Sequence, residues 1–252
     1  MAGTERLRQI TEAVRAAGSL AVTDLAALTG ASEMTIRRDL EALADQGVLE
    51  RYRGGARSLL LRGEEPPFAL RAHDHTRAKE RIAAEAAALL TDGESVVLDS
   101  GTTCLAVARA LRHRRLTVAP LSLHAANELT GALDLTLLLP GGRPRPGELA
   151  LTGPLTLASL AALRFDTAII GCCGLTHATG LTAYDLDDAA VKRAAIASAR
   201  RVIAVADSAK LTRTALAFVT PVTTLHALIT DEAAPQPETD ALTAAGVTVR
   251  KV

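Results

Sequence analysis

Apolar residues along the chain follow two different rhythms. In the first part they recur at helical spacing. Leu7, Ile10, Val14 and Ala17 share one face, which predicts a helix over Thr4–Ala17 stopped by Gly18. Thr23 is a cap for a short helix, DLAALT, and Gly30–Ala31 form a tight turn. Ser32 then opens a longer helix, SEMTIRRDLEAL, where Ile36, Leu40 and Leu43 make the apolar stripe and Glu33, Thr35, Arg37, Arg38 and Glu41 the polar side. Gly47 ends it, Val48–Arg51 extends, and Gly54–Gly55 supplies a turn. Helix, short helix, glycine turn, longer helix and hairpin is the plan of a winged helix-turn-helix, whose last helix lies in the major groove.

From Lys79 the rhythm changes to Val, Ile and Leu runs alternating with alanine-rich helical stretches. IAAEAAALL, GTTCLAVARALRH, LHAANELTGA, TLASLAAL and DDAAVKRAAIASA read as helices. SVVLDS, LTVAPLS, LTLLLPGG, DTAIIG, VIAVAD, ALIT and GVTVRKV read as strands. The expected fold class is α/β: a small N-terminal winged helix-turn-helix domain over 1–57 and a larger α/β domain with a mostly parallel sheet over 79–252. Residues 58–78, with Gly63 and Pro66–Pro67, read as the linker.

Composition narrows the function classes. The chain of 252 residues is 48% hydrophobic and 22% charged with net charge +0, so a nucleic-acid site has to be local. Arg51, Arg53 and Arg57 in the wing are set against only Glu50, and Arg37 and Arg38 lie just before them. Guanidinium groups clamp phosphates or grip guanine edges. The alternative is a helical protein-interaction module with a solvated basic face. Only 2% of residues are aromatic and none is Trp, which argues against base-stacking platforms for single strands and leaves the duplex. No apolar run is long enough to span a bilayer and MAGTERLRQI lacks the apolar core of a secretion signal, so a cytoplasmic protein with no membrane partner is expected. Cys104, Cys172 and Cys173 have neither zinc-ligand nor disulfide spacing and read as small buried side chains. His73 and His75 flank Asp74 without further ligands nearby, so no metal site is expected.

Candidate chemistry in the second domain begins at Asp99-Ser100-Gly101-Thr102-Thr103, where strand gives way to helix. A glycine there lets the backbone approach, helix-start amides point outward and hydroxyls add donors, which suits an anion. A plain capped helix start explains the same residues equally well. Neither a Walker pattern nor GxGxxG is present at this turn. Gly141–Gly142, Gly171 with Gly174, and Asp207-Ser208-Ala209-Lys210 all follow strands, where ligands of parallel sheets gather. Lys192, in a helix after Asp187 and Asp188, reads by itself as solvated surface.

The segment ASEMTIRRDLEALADQGVLERYRGGA closely resembles the N-terminal signature of the DeoR family of bacterial transcriptional regulators. The resemblance implies that Ser32, Thr35, Arg37, Arg38 and, in the wing, Arg53 contact operator DNA, while Asp39 and Leu40 serve packing and orientation. Further on, LDSGTT, LPGG, DTAIIG, AAVKRA and ADSAK look like successive motifs of that family's sensor domain, which resembles sugar-phosphate isomerases and CoA-transferases in fold. By that likeness Ser100, Gly101, Thr102 and Thr103 would hold a phosphate, and Lys192, Asp207 and Lys210 would line the pocket. The family commonly has Thr-Asn-Ser where this chain has Pro120-Leu121-Ser122, which removes two polar side chains. The expectation is a homo-oligomeric repressor without a cofactor, released from double-stranded operator DNA by a phosphorylated sugar or related metabolite. The alternatives are a sugar-phosphate isomerase-like or CoA-transferase-like enzyme, with Asp99, Asp207 and the Asp187–Asp188 pair as candidate carboxylates, and a scaffold without ligand.

Overall fold

The computed structural model describes residues 2–45, 48–58 and 66–252. The expected helix end at Gly47 and the Leu59–Glu65 part of the linker, Gly63 included, lie outside the described residues. The chain divides into two compact units, Met1–Asp74 and His75–Val252.

The first unit runs α1 (Ala2–Ala17), β1 (Ser19–Ala21), α2 (Val22–Thr29), α3 (Glu33–Asp45), β2 (Leu49–Tyr52), β3 (Gly55–Ser58) and α4 (Phe68–His73). Ile10 and Val14 of α1, Leu25 of α2 and Ile36, Leu40 and Leu43 of α3 are buried together with Val48, Leu49 and Ala56. The three strands form an antiparallel sheet in the order β1-β3-β2, with Ser19 opposite Arg57 and Leu49 opposite Ser58. Gly55 is needed for a close approach, because a Cβ there would lie 2.4 Å from the Leu20 carbonyl oxygen and 2.5 Å from the Tyr52 hydroxyl. Two sequence expectations change. Thr23 sits inside α2, whose cap position is Ala21 with no side-chain cap bond. Phe68–His73, read as linker, is helical, and Leu70 packs on the core of this unit.

The second unit runs α5 (Thr76–Ala88), β4 (Ser95–Leu98), α6 (Thr102–Leu111), β5 (Thr117–Pro120), α7 (Leu123–Leu129), β6 (Thr136–Leu137), β7 (Arg143–Pro144), β8 (Leu151–Thr152) and α8 (Pro154–Ala162). It continues with β9 (Phe165–Gly171), β10 (Gly174–Thr176), β11 (Gly180–Ala183), α9 (Leu186–Ala197), β12 (Ala199–Val205), β13 (Ala217–Thr220), β14 (Ala227–Thr230), α10 (Gln236–Ala244) and β15 (Thr248–Lys251). Seven strands form one sheet in the order β15-β14-β12-β9-β4-β5-β6, and every neighbouring pair is parallel. Side chains alternate between two cores. Val96, Leu98, Ile169, Ile203 and Val205 pack with Ile82 of α5, Val107 and Leu111 of α6 and Leu129 of α7. Val97, Ala168, Ile170, Val202 and Ala204 pack with Leu160 of α8, Val191 and Ala195 of α9 and Leu242 of α10. Helices on both faces explain why these strands read as continuous apolar runs.

Strand β6 is shorter than the LTLLLPGG run suggested, and Pro120 supplies a reason. Thr117 and Leu121 donate their N–H groups toward β4, at the Glu94 and Leu98 carbonyls. The alternate positions, 118 and 120, face β6: the Val118 carbonyl accepts the Leu138 N–H, and residue 120, as proline, has no N–H to give. Pairing with β6 ends at Leu137. The three-stranded sheet β10-β11-β13 was not foreseen from sequence.

Candidate functional site

On α3 the cap is built as the sequence implies. Ser32 Oγ accepts the Thr35 N–H at 3.3 Å and lies 2.9 Å from the Thr35 hydroxyl, while its carbonyl accepts the Ile36 N–H at 3.0 Å. Asp39 is held by Arg6 of α1, with Nε donating at 2.6 Å, so its partner is this arginine and not Arg38. That contact ties α3 to α1 and raises the Arg6 pKa, mainly through the hydrogen bond to Asp39.

The five candidate arginines are not equivalent. Arg37 pairs with Glu33 at 2.9 Å, Arg51 with Glu41 at 3.4 Å and Arg57 with Glu50 at 2.5 Å. Arg38, on the outer face of α3, and Arg53, at the tip of the β2–β3 turn, are exposed and have no ion pair among the described residues. The wing is therefore more neutralised than its sequence suggested, and its uncompensated cation is at the tip.

In the second unit the candidate residues collect at the carboxyl ends of adjacent strands. Asp99 follows β4, and its Oδ2 accepts the Gly171 N–H at the end of β9 at 2.9 Å. The same oxygen receives Lys192 from α9, and Asp188 lies 3.6 Å from the Lys192 Nζ. Asp99, Asp188 and Lys192 are all buried, so the solvated-surface reading of Lys192 is corrected. Burial pulls its pKa down, but Asp188 and Asp99 outweigh that cost and raise it above the ordinary lysine value. Its role is counterion to two carboxylates, 93 residues from one of them in sequence, which no local pattern signals.

Gly101 caps α6 with φ +97° and offers no side chain to its first-turn amides. Those N–H groups are the ones a helix leaves without internal partners, and they carry the positive end of its dipole. Ser100 and Thr102 are buried and Thr103 half-buried around this turn. Beyond β12, Asp207 is 5% exposed and its Oδ1 has no hydrogen-bond partner among the described residues. Lys210 follows in a single 3-10 turn, half-buried. The Cys172 thiol, after β9, is pushed up to about 12, chiefly by loss of solvent and against the opposing pull of Lys192 and Lys210. Such a thiol stays protonated and unreactive near neutral pH. At the end of β5 the two substituted positions, Pro120 and Leu121, are buried and carry no polar side chain, and the retained Ser122 hydroxyl caps α7, accepting from His124 N–H at 3.1 Å and Ala125 N–H at 3.5 Å.

An open groove of about 400 Å³ lies at the amino ends of β4, β5 and β6, lined by Asp92, Arg115, Thr117, Asp134 and Thr136, and shares no residue with these strand ends. Among the described residues no helix is long and apolar enough to cross a membrane, and no group of three or more His, Cys, Asp or Glu could hold a metal ion.

Comparison with known proteins identifies the family. Residues 6–60 match the DeoR-like helix-turn-helix domain and residues 74–232 the DeoR C terminal sensor domain. The glycerol-3-phosphate regulon repressor of Escherichia coli is 34% identical over 94% of this chain and 93% of its own. The HTH-type transcriptional regulator GlpR of Haloferax volcanii is 32% identical over 99% of this chain and 98% of its own. Among solved structures, ribose 5-phosphate isomerase A from Methanocaldococcus jannaschii covers 55% of this chain and 56% of its own at 18% identity and a TM-score of 0.42. Full-length similarity to regulators, with a helix-turn-helix match across the first unit, sets aside the enzyme reading: the chain belongs to the DeoR family and is a DNA-binding transcriptional regulator.

Proposed function

We propose that the protein is a cytoplasmic, homo-oligomeric repressor whose winged helix-turn-helix binds a double-stranded operator and whose α/β domain releases it on binding a phosphorylated sugar or related metabolite. The observation that carries the effector half is the α6 start, where a glycine cap leaves first-turn amides free of any side-chain cap beside Thr102 and Thr103. A phosphate would take those amides, the two hydroxyls, Ser100 and the half-buried Lys210. Asp207, one oxygen of which has no partner among the described residues, would accept a hydroxyl of the same ligand. Lys192 would act at one remove, by holding Asp99 in place under the turn.

Ser32, Thr35, Arg37, Arg38 and Arg53 form the proposed DNA contact. Paired half-sites read by symmetry-related copies account for the oligomer in this reading. Coupling is linkage: the ligand shifts DNA occupancy by its differential affinity for the DNA-free arrangement and by no more. The test is operator binding by the purified protein with and without phosphorylated compounds, glycerol 3-phosphate among them because a relative bears that name. Sequence-specific binding relieved by one such compound is expected. Binding that no phosphorylated compound alters would overturn the effector assignment, and an absence of sequence preference would overturn the operator reading.

A further inference from the structure

The recognition helix carries one large apolar side chain in the open. Met34 is 58% exposed, in the first turn of α3. The other side chains of that turn are already engaged: Ser32 and Thr35 share the cap, and Glu33 holds Arg37. Ile36, Leu40 and Leu43 bury the opposite face, and Arg38 lies four residues on, one turn along the outward side. A single exposed methionine on an ordinary surface carries no meaning. This one occupies the turn that a helix-turn-helix presents to base edges.

A thioether has no proton to donate and is a weak acceptor, so it does not read the hydrogen-bonding edges of bases. Its length and flexibility suit an apolar contact of adjustable geometry. The major groove offers one apolar group, the C5 methyl of thymine. We propose that Met34 reads a thymine in each operator half-site through that methyl, and so sets part of this chain's sequence preference. The proposal rests on the DNA-binding role of α3 and adds the base class that one position selects.

The experiment starts with full-length protein and duplexes enriched from a random pool, followed by replacement of each thymine of the selected half-site with uracil, which removes only the C5 methyl. At one position the replacement lowers affinity roughly fourfold, the worth of about one buried methyl group. In Met34→Ala the parent site binds more weakly and the penalty at that position disappears, while Met34→Leu, which restores an apolar side chain, keeps both. Identical uracil penalties in wild type and Met34→Ala at every thymine overturn the proposal with operator binding intact. Failure to enrich any sequence overturns it together with the operator reading, so the two failures are distinguishable.

Discussion

Lys192 of α9 and Asp99 at the end of β4 form a buried ion pair across 93 residues of chain, with Asp188 as a second partner of the lysine. Removing the lysine alone takes the cation away from two buried carboxylates. Lys192→Met is therefore expected to destabilise the second unit by about 3–5 kcal/mol, and Lys192→Met combined with Asp99→Asn by less. Urea unfolding of the full chain checks this. The sign with pH follows from the raised lysine pKa: the contribution is complete below about pH 10.4, the unfolded value, and is lost as pH rises through the folded one.

Arg38→Ala and Arg53→Ala should each weaken operator binding and, where the lost contact is to phosphate, reduce the slope of log affinity against log salt by about 1. Arg57→Ala should matter less, because Glu50 already neutralises that guanidinium. Arg37→Ala falls between, since its pair with Glu33 has to open or be carried into the groove. Binding titrations at several salt concentrations order the series, and an order reversed from this one removes the tip of the wing from the interface.

Thr102→Val deletes one hydroxyl donor beside the α6 amides at nearly constant volume. Operator affinity should be unchanged, while the ligand concentration that releases DNA should rise by about tenfold, the scale of one hydrogen bond to a charged group. A fully responsive variant would move the phosphate position elsewhere.

Asp166 of β9 accepts the Ser95 N–H and hydroxyl, both at 2.8 Å, and pairs with Arg200. The Ser95 backbone bond, then its hydroxyl, then Arg200 lower its pKa to about 2. A folded pKa below the unfolded one contributes stability above about pH 4 that is lost as pH falls toward 2. Asp166→Asn should cost about 1–2 kcal/mol at pH 6, and the gap from wild type should close over that acid range in a series of thermal melts.

The helices of the first unit were legible because their apolar residues repeat with the helical period, and the Ser32 cap because a serine meets the first turn within its own segment. The central strands were legible as apolar runs covered on both faces. The β10–β11 hairpin and β13 escaped notice. Each is three or four residues long, and β13 pairs with β11 across a stretch that includes α9 and β12. Thr23 misled because a threonine before DLAALT looks like a cap even where the helix begins two residues earlier, at Val22.

By itself the sequence determined what depends on near neighbours: the α3 face that packs, the face that carries Arg37 and Arg38, the glycine turn before α6 and the α/β alternation. Tertiary structure decided which charges remain available. Arg6 takes Asp39 from 33 residues away, Glu41 and Glu50 take two wing arginines, and Lys192 is enclosed by Asp99 and Asp188. The reason is physical. Periodicity is set by backbone geometry within a few residues, whereas a charge is neutralised by whatever carboxylate the folded chain brings within about 4 Å, and desolvation then fixes whether that pairing is optional or obligatory.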